Sequence, residues 1–130
     1  MEESLRQVLQ VDDRIAYALL FGSAARGDTT SFSDVDVAIG LRSGVKFDLH
    51  DIGGLVSELE RAAGRDVDVV ILDEAPPGLA YRVFRDGRVL VENDRRARVE
   101  RQASAMIEYL DFAWAEELCA RGVLARAARG

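Results

Sequence analysis

The sequence predicts an α/β chain, with a small sheet, helices packed on it and a long helix at the C-terminal end. Three observations predict this. Apolar runs of strand length or period-two alternation recur at residues 14–21, 33–39 and 66–72. Around them, apolar residues recur at helical spacing, as in Leu49, Ile52, Leu55, Val56 and Leu59. Between residues 94 and 118 there is neither glycine nor proline to break a helix.

Taken in order, Ser4-Leu5-Arg6-Gln7 reads as a capping box opening a first helix, with Leu5, Val8 and Leu9 on one face. Asp12-Asp13 ends it on a solvated turn. Residues 14–21 are apolar and long enough for a buried central strand. The chain then breaks at Gly22-Ser23, where a glycine lets the backbone turn sharply and a phosphate approach closely. Ser23 can cap a short helix through Ala24-Ala25-Arg26, whose free N–H groups favour an anion. Arg26 adds a planar cation suited to phosphate. Gly27-Asp28-Thr29-Thr30-Ser31 carries turn residues, Asp28 among them as a turn former.

Residues 33–39 alternate with period two. Asp34, Asp36 and Ala38 share one face, and Val35, Val37 and Ile39 face a core. Two carboxylates side by side repel, since a like charge within about 4–6 Å raises one pKa. The usual reason to keep such a pair is a divalent cation held by hard oxygens. A phosphate cradle and a carboxylate pair on adjacent elements are what nucleotide chemistry on Mg²⁺ requires.

Asp48 caps a second helix, with Asp51 in its first turn. Gly53-Gly54 lie inside it, each costing about 1 kcal/mol relative to Ala, and predict an irregular N-terminal half. Gly64 stops it. The third strand puts Asp66, Asp68, Val70 and Leu72 on one face. An unpaired Asp68 inside a strand is costly, and metal coordination would relieve the cost. Residues 73–78, with two prolines and a glycine, form a loop. A short helix over 79–85, a turn at Asp86-Gly87 and a short edge strand over 88–92 follow.

Asp94 caps the last helix, and Arg95, Arg96, Arg98 and Arg101 give it a basic face. Val99, Ala103, Met106, Leu110, Ala113 and Trp114 recur at three- and four-residue steps. Such a stripe predicts packing on the core. Ile107, Tyr109, Phe112 and Leu118 widen it, which makes contact with a partner, either a second copy or another protein, the alternative. Gly122 marks the helix end, where Arg121, Arg126 and Arg129 suit the dipole. The organisation expected is a core over residues 1–93 and, over 94–130, a helix packed on that core or on a partner.

With 48% hydrophobic and 31% charged residues in 130, the composition is that of a soluble globular domain. A net charge of −6 argues against binding a nucleic-acid backbone directly. It fits a protein partner or a metal–nucleotide ligand, whose ion brings its own positive charge. Cys119 is the only cysteine, so no internal disulfide forms, and a reducing cytoplasm is the expected compartment. Cys119 reads as a packing thiol, and His50, the one histidine, as a surface or packing residue rather than a catalytic base. No apolar run approaches the roughly 18 residues of a membrane span, and the N-terminus lacks a signal-peptide pattern.

Gly22-Ser23, ten residues, then Asp34-x-Asp36 match a GSx10DxD signature. With the wording GSAARGD and the downstream segment LDEAPPGLAYRVFRDGRVLVE, the chain resembles the minimal nucleotidyltransferase (MNT) branch of the DNA polymerase β-like nucleotidyltransferase superfamily. The resemblance covers about the first two thirds of the chain and implies the nucleotidyltransferase fold, a small mixed β-sheet with helices packed on it. It also implies a third acidic residue on a neighbouring strand. That role falls to Asp68, with Asp66 as the alternative and an arginine-paired structural carboxylate as the remaining reading.

Asp34, Asp36 and Asp68 would then be both catalytic and metal-holding, gripping two Mg²⁺ ions about 3.5–4 Å apart. Gly22 and Ser23 would hold the terminal phosphates of ATP, and Arg26 would offset their charge. Members of the branch commonly pair with a HEPN-type toxin, an RNase, and act as its antitoxin by moving AMP from ATP to a toxin tyrosine. A homodimer or hetero-oligomer through the C-terminal helix is compatible with that role. The rival readings are a nucleotidyltransferase for a small molecule such as an aminoglycoside, and a non-catalytic antitoxin that binds its partner by occlusion.

Overall fold

The structure is a computed structural model that describes residues 1–27 and 34–122. Asp28, Thr29, Thr30, Ser31 and Ser33, and at the other end Arg126 and Arg129, lie outside the described residues. Among the described residues five helices and four strands follow in order: α1 (Glu2–Gln10), β1 (Ile15–Phe21), α2 (Ser23–Arg26), β2 (Val35–Leu41), α3 (Leu49–Ala63), β3 (Val67–Ile71), α4 (Pro77–Asp86), β4 (Arg88–Glu92) and α5 (Arg95–Ala120). A 3₁₀ turn over Leu72–Glu74 joins β3 to α4.

The sheet runs β3-β2-β1-β4. β1 is antiparallel to both β2 and β4, while β2 and β3 are parallel and joined by the α3 crossover that parallel pairing demands. Helices cover both faces. On one, Leu5 and Leu9 of α1 and Leu55 and Leu59 of α3 close over Ala18, Leu20, Val35, Val37 and Ile39. On the other, Ala80 and Val83 of α4 and Ala105 of α5 close over Leu19 and Ala38. β1 is buried on both faces, as its unbroken apolar run predicts. At Gly40 only a hydrogen fits, because a Cβ there would enter the Tyr17 ring.

Several local expectations give way to their surroundings. α1 starts at Glu2 rather than Ser4, with Glu2 and Glu3 in its first turn and Arg6 paired back to both. α3 is continuous through Gly53 and Gly54, both exposed; burial of Leu55 and Leu59 and a complete Asp48–Asp51 capping box outweigh the glycine cost. Leu49 stands at the helix start, outside the buried stripe, and is exposed.

The larger correction concerns α5. Asp94 caps it through the Ala97 N–H at 3.1 Å, as read from the sequence. The apolar stripe, however, does not pack on the core. Val99, Met106, Leu110 and Trp114 are 48%, 50%, 59% and 64% exposed. α5 attaches instead through its opposite side: Ala105 is fully buried, Tyr109 stacks on Tyr81 at 4.1 Å, and Arg101 donates to the Leu72 carbonyl at 2.8 and 3.0 Å. Ala105, Tyr109 and Arg101 make that seam against α4 and the end of β3, which leaves the bulky stripe facing solvent. Cys119 is likewise exposed rather than packed.

The contrast can be measured. Leu59→Ala should cost about 2–5 kcal/mol, as truncation in a packed core does, whereas Leu110→Ala should stay within about 0.5 kcal/mol. Urea unfolding of the two variants checks this, and a large loss for Leu110→Ala would return α5 to the core.

Candidate functional site

The site forms where β1 ends and β2 begins. Phe21, the last residue of β1, stands opposite Asp36 in the antiparallel ladder. Gly22 follows with φ 71° and ψ −149°, a conformation open to glycine and costly for other residues. A Cβ on Gly22 would overlap the Asp36 carboxylate. The two halves of the sequence motif are therefore in contact, with the carboxylate lying against the bare backbone of the turn. Ser23 does not cap α2, since Gly22 holds the cap position and Ser23 is the first helical residue.

On its other side Asp36 pairs with Asp68, its lateral partner across the parallel β2–β3 ladder. Asp34 lies immediately before β2 and is exposed. Burial is the first cause that pushes the Asp36 carboxyl above its ordinary range, followed by the charges of Asp68 and then Asp34. The charges of Asp34 and Asp68 thus both bear on Asp36.

Asp68 is the second residue of an edge strand and is exposed, so the burial cost expected for it does not arise. Asp66 precedes β3, and its carbonyl accepts the Val35 N–H at 3.0 Å. Among the described residues no three acidic, histidine or cysteine side chains close to the spacing of a preformed ion site. The donors are nevertheless hard carboxylate oxygens, as Mg²⁺ prefers, and the repulsion at Asp36 is of the kind that a cation relieves. The set fits the ion that the resemblance implies.

Next to Gly22, between α2 and α4, opens a cleft of about 250 Å³. Arg26 and Arg82 line it with Asp86, over apolar Leu79 and Val83. Arg85 grips the Asp86 carboxylate at 2.8 and 2.9 Å. That contact, with smaller contributions from Arg26 and Arg82, holds Asp86 below the usual carboxylate range. Sequence reasoning singled out Arg26 but not Arg82 or Asp86. Their only signal was an i,i+4 pair on the side of α4 that carries Leu79 and Val83, an ordinary helical pattern. Folding gives it meaning by returning the end of α4 to β1, where Gly87 packs against the Leu20 carbonyl.

A larger cleft, of about 350 Å³, lies at the other end of β3, lined by Asp73, Glu74, Arg101 and Ser104. Its charged groups hold the fold: Asp73 accepts the Leu41 N–H at 3.1 Å, and Arg101 is bound to the Leu72 carbonyl. His50 is exposed in the first turn of α3, far along the chain from the motif.

Known proteins share the family sequence profile and the fold. The sequence profile of the family described as polymerase beta, nucleotidyltransferase covers residues 3–96. No curated protein sequence is a significant match. Among solved structures, a chain of a toxin–antitoxin with AMP-PNP superposes with a TM-score of 0.78 at 22% identity, covering 95% of this chain and 98% of that one. A chain of the toxin–antitoxin MntA–HepT gives 0.72 at 20% identity, with coverages of 95% and 96%. A chain of the tri-AMPylated Shewanella oneidensis HEPN toxin in complex with MNT antitoxin gives 0.72 at 20%, with coverages of 95% and 99%. At such identities the shared property is the fold.

The repulsion at Asp36 has a measurable sign. Its native pKa lies above the unfolded one, so the charged form costs native stability at neutral pH. Where both states are protonated the cost is gone. Asp36→Asn should therefore melt above the parent chain at pH 7, and the gap should shrink as pH falls through the raised native pKa and be closed below about 4, where both states are protonated. Thermal unfolding across pH checks this; an equal or lower melting temperature for Asp36→Asn at pH 7 would contradict the convergence.

Proposed function

The chain belongs to the polymerase β nucleotidyltransferase family, and from that premise we propose that it transfers AMP from ATP to a tyrosine hydroxyl of a HEPN-type toxin, as the antitoxin of that pair. The observation that carries the reading is the contact of Gly22 with Asp36 and the lateral pairing of Asp36 with Asp68. Together they set a carboxylate group beside a turn that leaves room for phosphate.

When bound, Mg²⁺ supplies the positive charge that offsets the phosphates and favours the deprotonated acceptor hydroxyl. Asp34, Asp36 and Asp68 are the residues that would hold it. Gly22 and Ser23 face the phosphates, and Arg26 balances their charge. Asp68, exposed like Asp34, is the carboxylate that takes the hydroxyl proton in this reading. The acceptor oxygen bonds to the α-phosphorus as the bond to the α–β bridging oxygen breaks, and pyrophosphate leaves with that electron pair. Positioning and charge neutralisation do most of this, as in phosphoryl transfer generally.

The partner finds support in α5. Its bulky stripe from Val99 to Trp114 is exposed, as a surface awaiting another protein would be. Solved relatives of the same fold are toxin–antitoxin complexes whose chains this one spans almost end to end. No helix among the described residues is long and apolar enough to cross a membrane, and the cytoplasm is the compartment that fits a toxin–antitoxin pair.

With labelled ATP, Mg²⁺ and the HEPN partner, Asp36→Ala should cut label transfer by at least about a hundredfold while keeping its fold. Undiminished transfer by that variant would remove the carboxylate site. A parent chain that silences the toxin but gains no thermal stability from ATP with Mg²⁺ would point to occlusion without chemistry.

A further inference from the structure

The sheet has two edges, β3 and β4, and the fold treats them differently. At β4, Arg6 of α1 reaches over the edge and donates to the Leu90 carbonyl at 3.0 Å. At β3 the guard among the described residues stands only at the first position, where the Val67 N–H donates to the Glu60 carboxylate at 3.2 Å. The register fixes which backbone groups face out. Val35 lies opposite Val67, and its N–H donates to the Asp66 carbonyl at 3.0 Å. In a parallel ladder this turns the N–H and C=O groups of residues 66, 68 and 70 toward β2, and those of Val67, Val69 and Ile71 outward. Among the described residues nothing bonds the N–H or the carbonyl of Val69, although that residue is half-buried. The strand reads VDVVI, four β-branched residues in five with no proline and no cation to deter pairing. Its one charged residue is Asp68, lateral partner of Asp36.

We propose that β3 accepts a fifth strand: an extended segment of the partner that carries the acceptor tyrosine, laid antiparallel along the free edge with the tyrosine across from Asp68. This rests on the nucleotidyltransferase reading and adds the form in which the acceptor arrives, as a strand rather than as a tyrosine on a helix. The outward groups of Val69 supply the main-chain hydrogen bonds that hold an added strand. Because Asp68 turns its own backbone groups to β2, the residue across from it falls in the close, non-hydrogen-bonded kind of pair, about 4.5 Å between Cα atoms. A tyrosine there stands on the face that carries Asp68 and Asp36. Charge disfavours a second copy as the occupant. Its β3 would set another Asp66 and Asp68 against the first pair, in a chain of net charge −6.

Amide exchange, followed residue by residue by NMR, reads the pairing directly. The samples are the full chain alone and the chain with the HEPN partner, each with Mg²⁺ and the α,β-methylene analogue of ATP, which cannot release pyrophosphate. The partner should slow the Val69 and Ile71 amides by at least about tenfold and leave those of Asp68 and Val70, already bonded to β2, within about twofold. Unchanged Val69 and Ile71 amides would overturn the proposal. So would protection that rises with the concentration of the chain alone, which would give the edge to a second copy. Val69→Pro removes the outward N–H and spares the β2 ladder, as proline on an edge strand does. It should raise KM for the partner by at least about tenfold and hold KM for ATP within about twofold. An unchanged KM for the partner would contradict the added strand, and where the variant does not fold, exchange in the parent complex decides. If Asp36→Ala stops transfer while the Val69 amide stays unprotected in the complex, this proposal fails alone. If the parent chain transfers nothing to the partner, the nucleotidyltransferase reading fails and takes this one with it.

Discussion

The structure turns on a carboxylate held against a glycine. Asp36 cannot retreat from Asp68, because the parallel β2–β3 ladder fixes the two side by side, and it cannot swing toward β1 without meeting Gly22. Its pKa is raised because burial and two neighbouring negative charges all disfavour ionisation. Strain of this kind is a property of sites rather than of scaffolds. The scaffold's task is to make the strained arrangement affordable, and β1, buried on both faces between two helical layers, supplies the stability that tolerates it.

The two faces of the sheet divide the labour. α1 and α3 close the aliphatic face with Leu5, Leu9, Leu55 and Leu59, and no functional side chain emerges there. The face that carries Ala38 is covered by α4 and α5, whose apolar cluster reaches Phe21, opposite Asp36. Beside Phe21 the end of α2 and the middle of α4 bring Arg26 and Arg82 to the turn. Acidic and basic walls thus meet at Gly22.

α5 shows how the same pattern can serve opposite ends. Apolar residues at three- and four-residue steps define a stripe but not what covers it. On α3 the stripe is covered by the sheet, and Leu55 and Leu59 are buried. On α5 the helix is held by Ala105, Tyr109 and Arg101 on its other side, so the stripe faces out. Periodicity reports amphipathicity, and burial depends on which side a neighbouring element reaches first.

The order and type of the elements were legible because strand and helix periods, caps such as Asp48 and Asp94, and stops such as Gly64 act over a few residues. So were the places of Asp36 and Asp68 on strands and of Gly22-Ser23 at the break after β1, since strand period and a glycine stop act locally. Exceptions were also local competitions: Gly22 took the cap that Ser23 was expected to fill, and acidic residues drew the start of α1 to Glu2. By itself, then, the sequence determined an α/β chain with carboxylates on one strand face and a glycine turn before them. Only the tertiary structure decided that Asp36 lies against Gly22 and beside Asp68, that Arg82 comes to the same turn, and that the stripe of α5 points to solvent. Those facts depend on contacts between residues far apart in the chain, and no local period or propensity encodes which distant surface a side chain will meet.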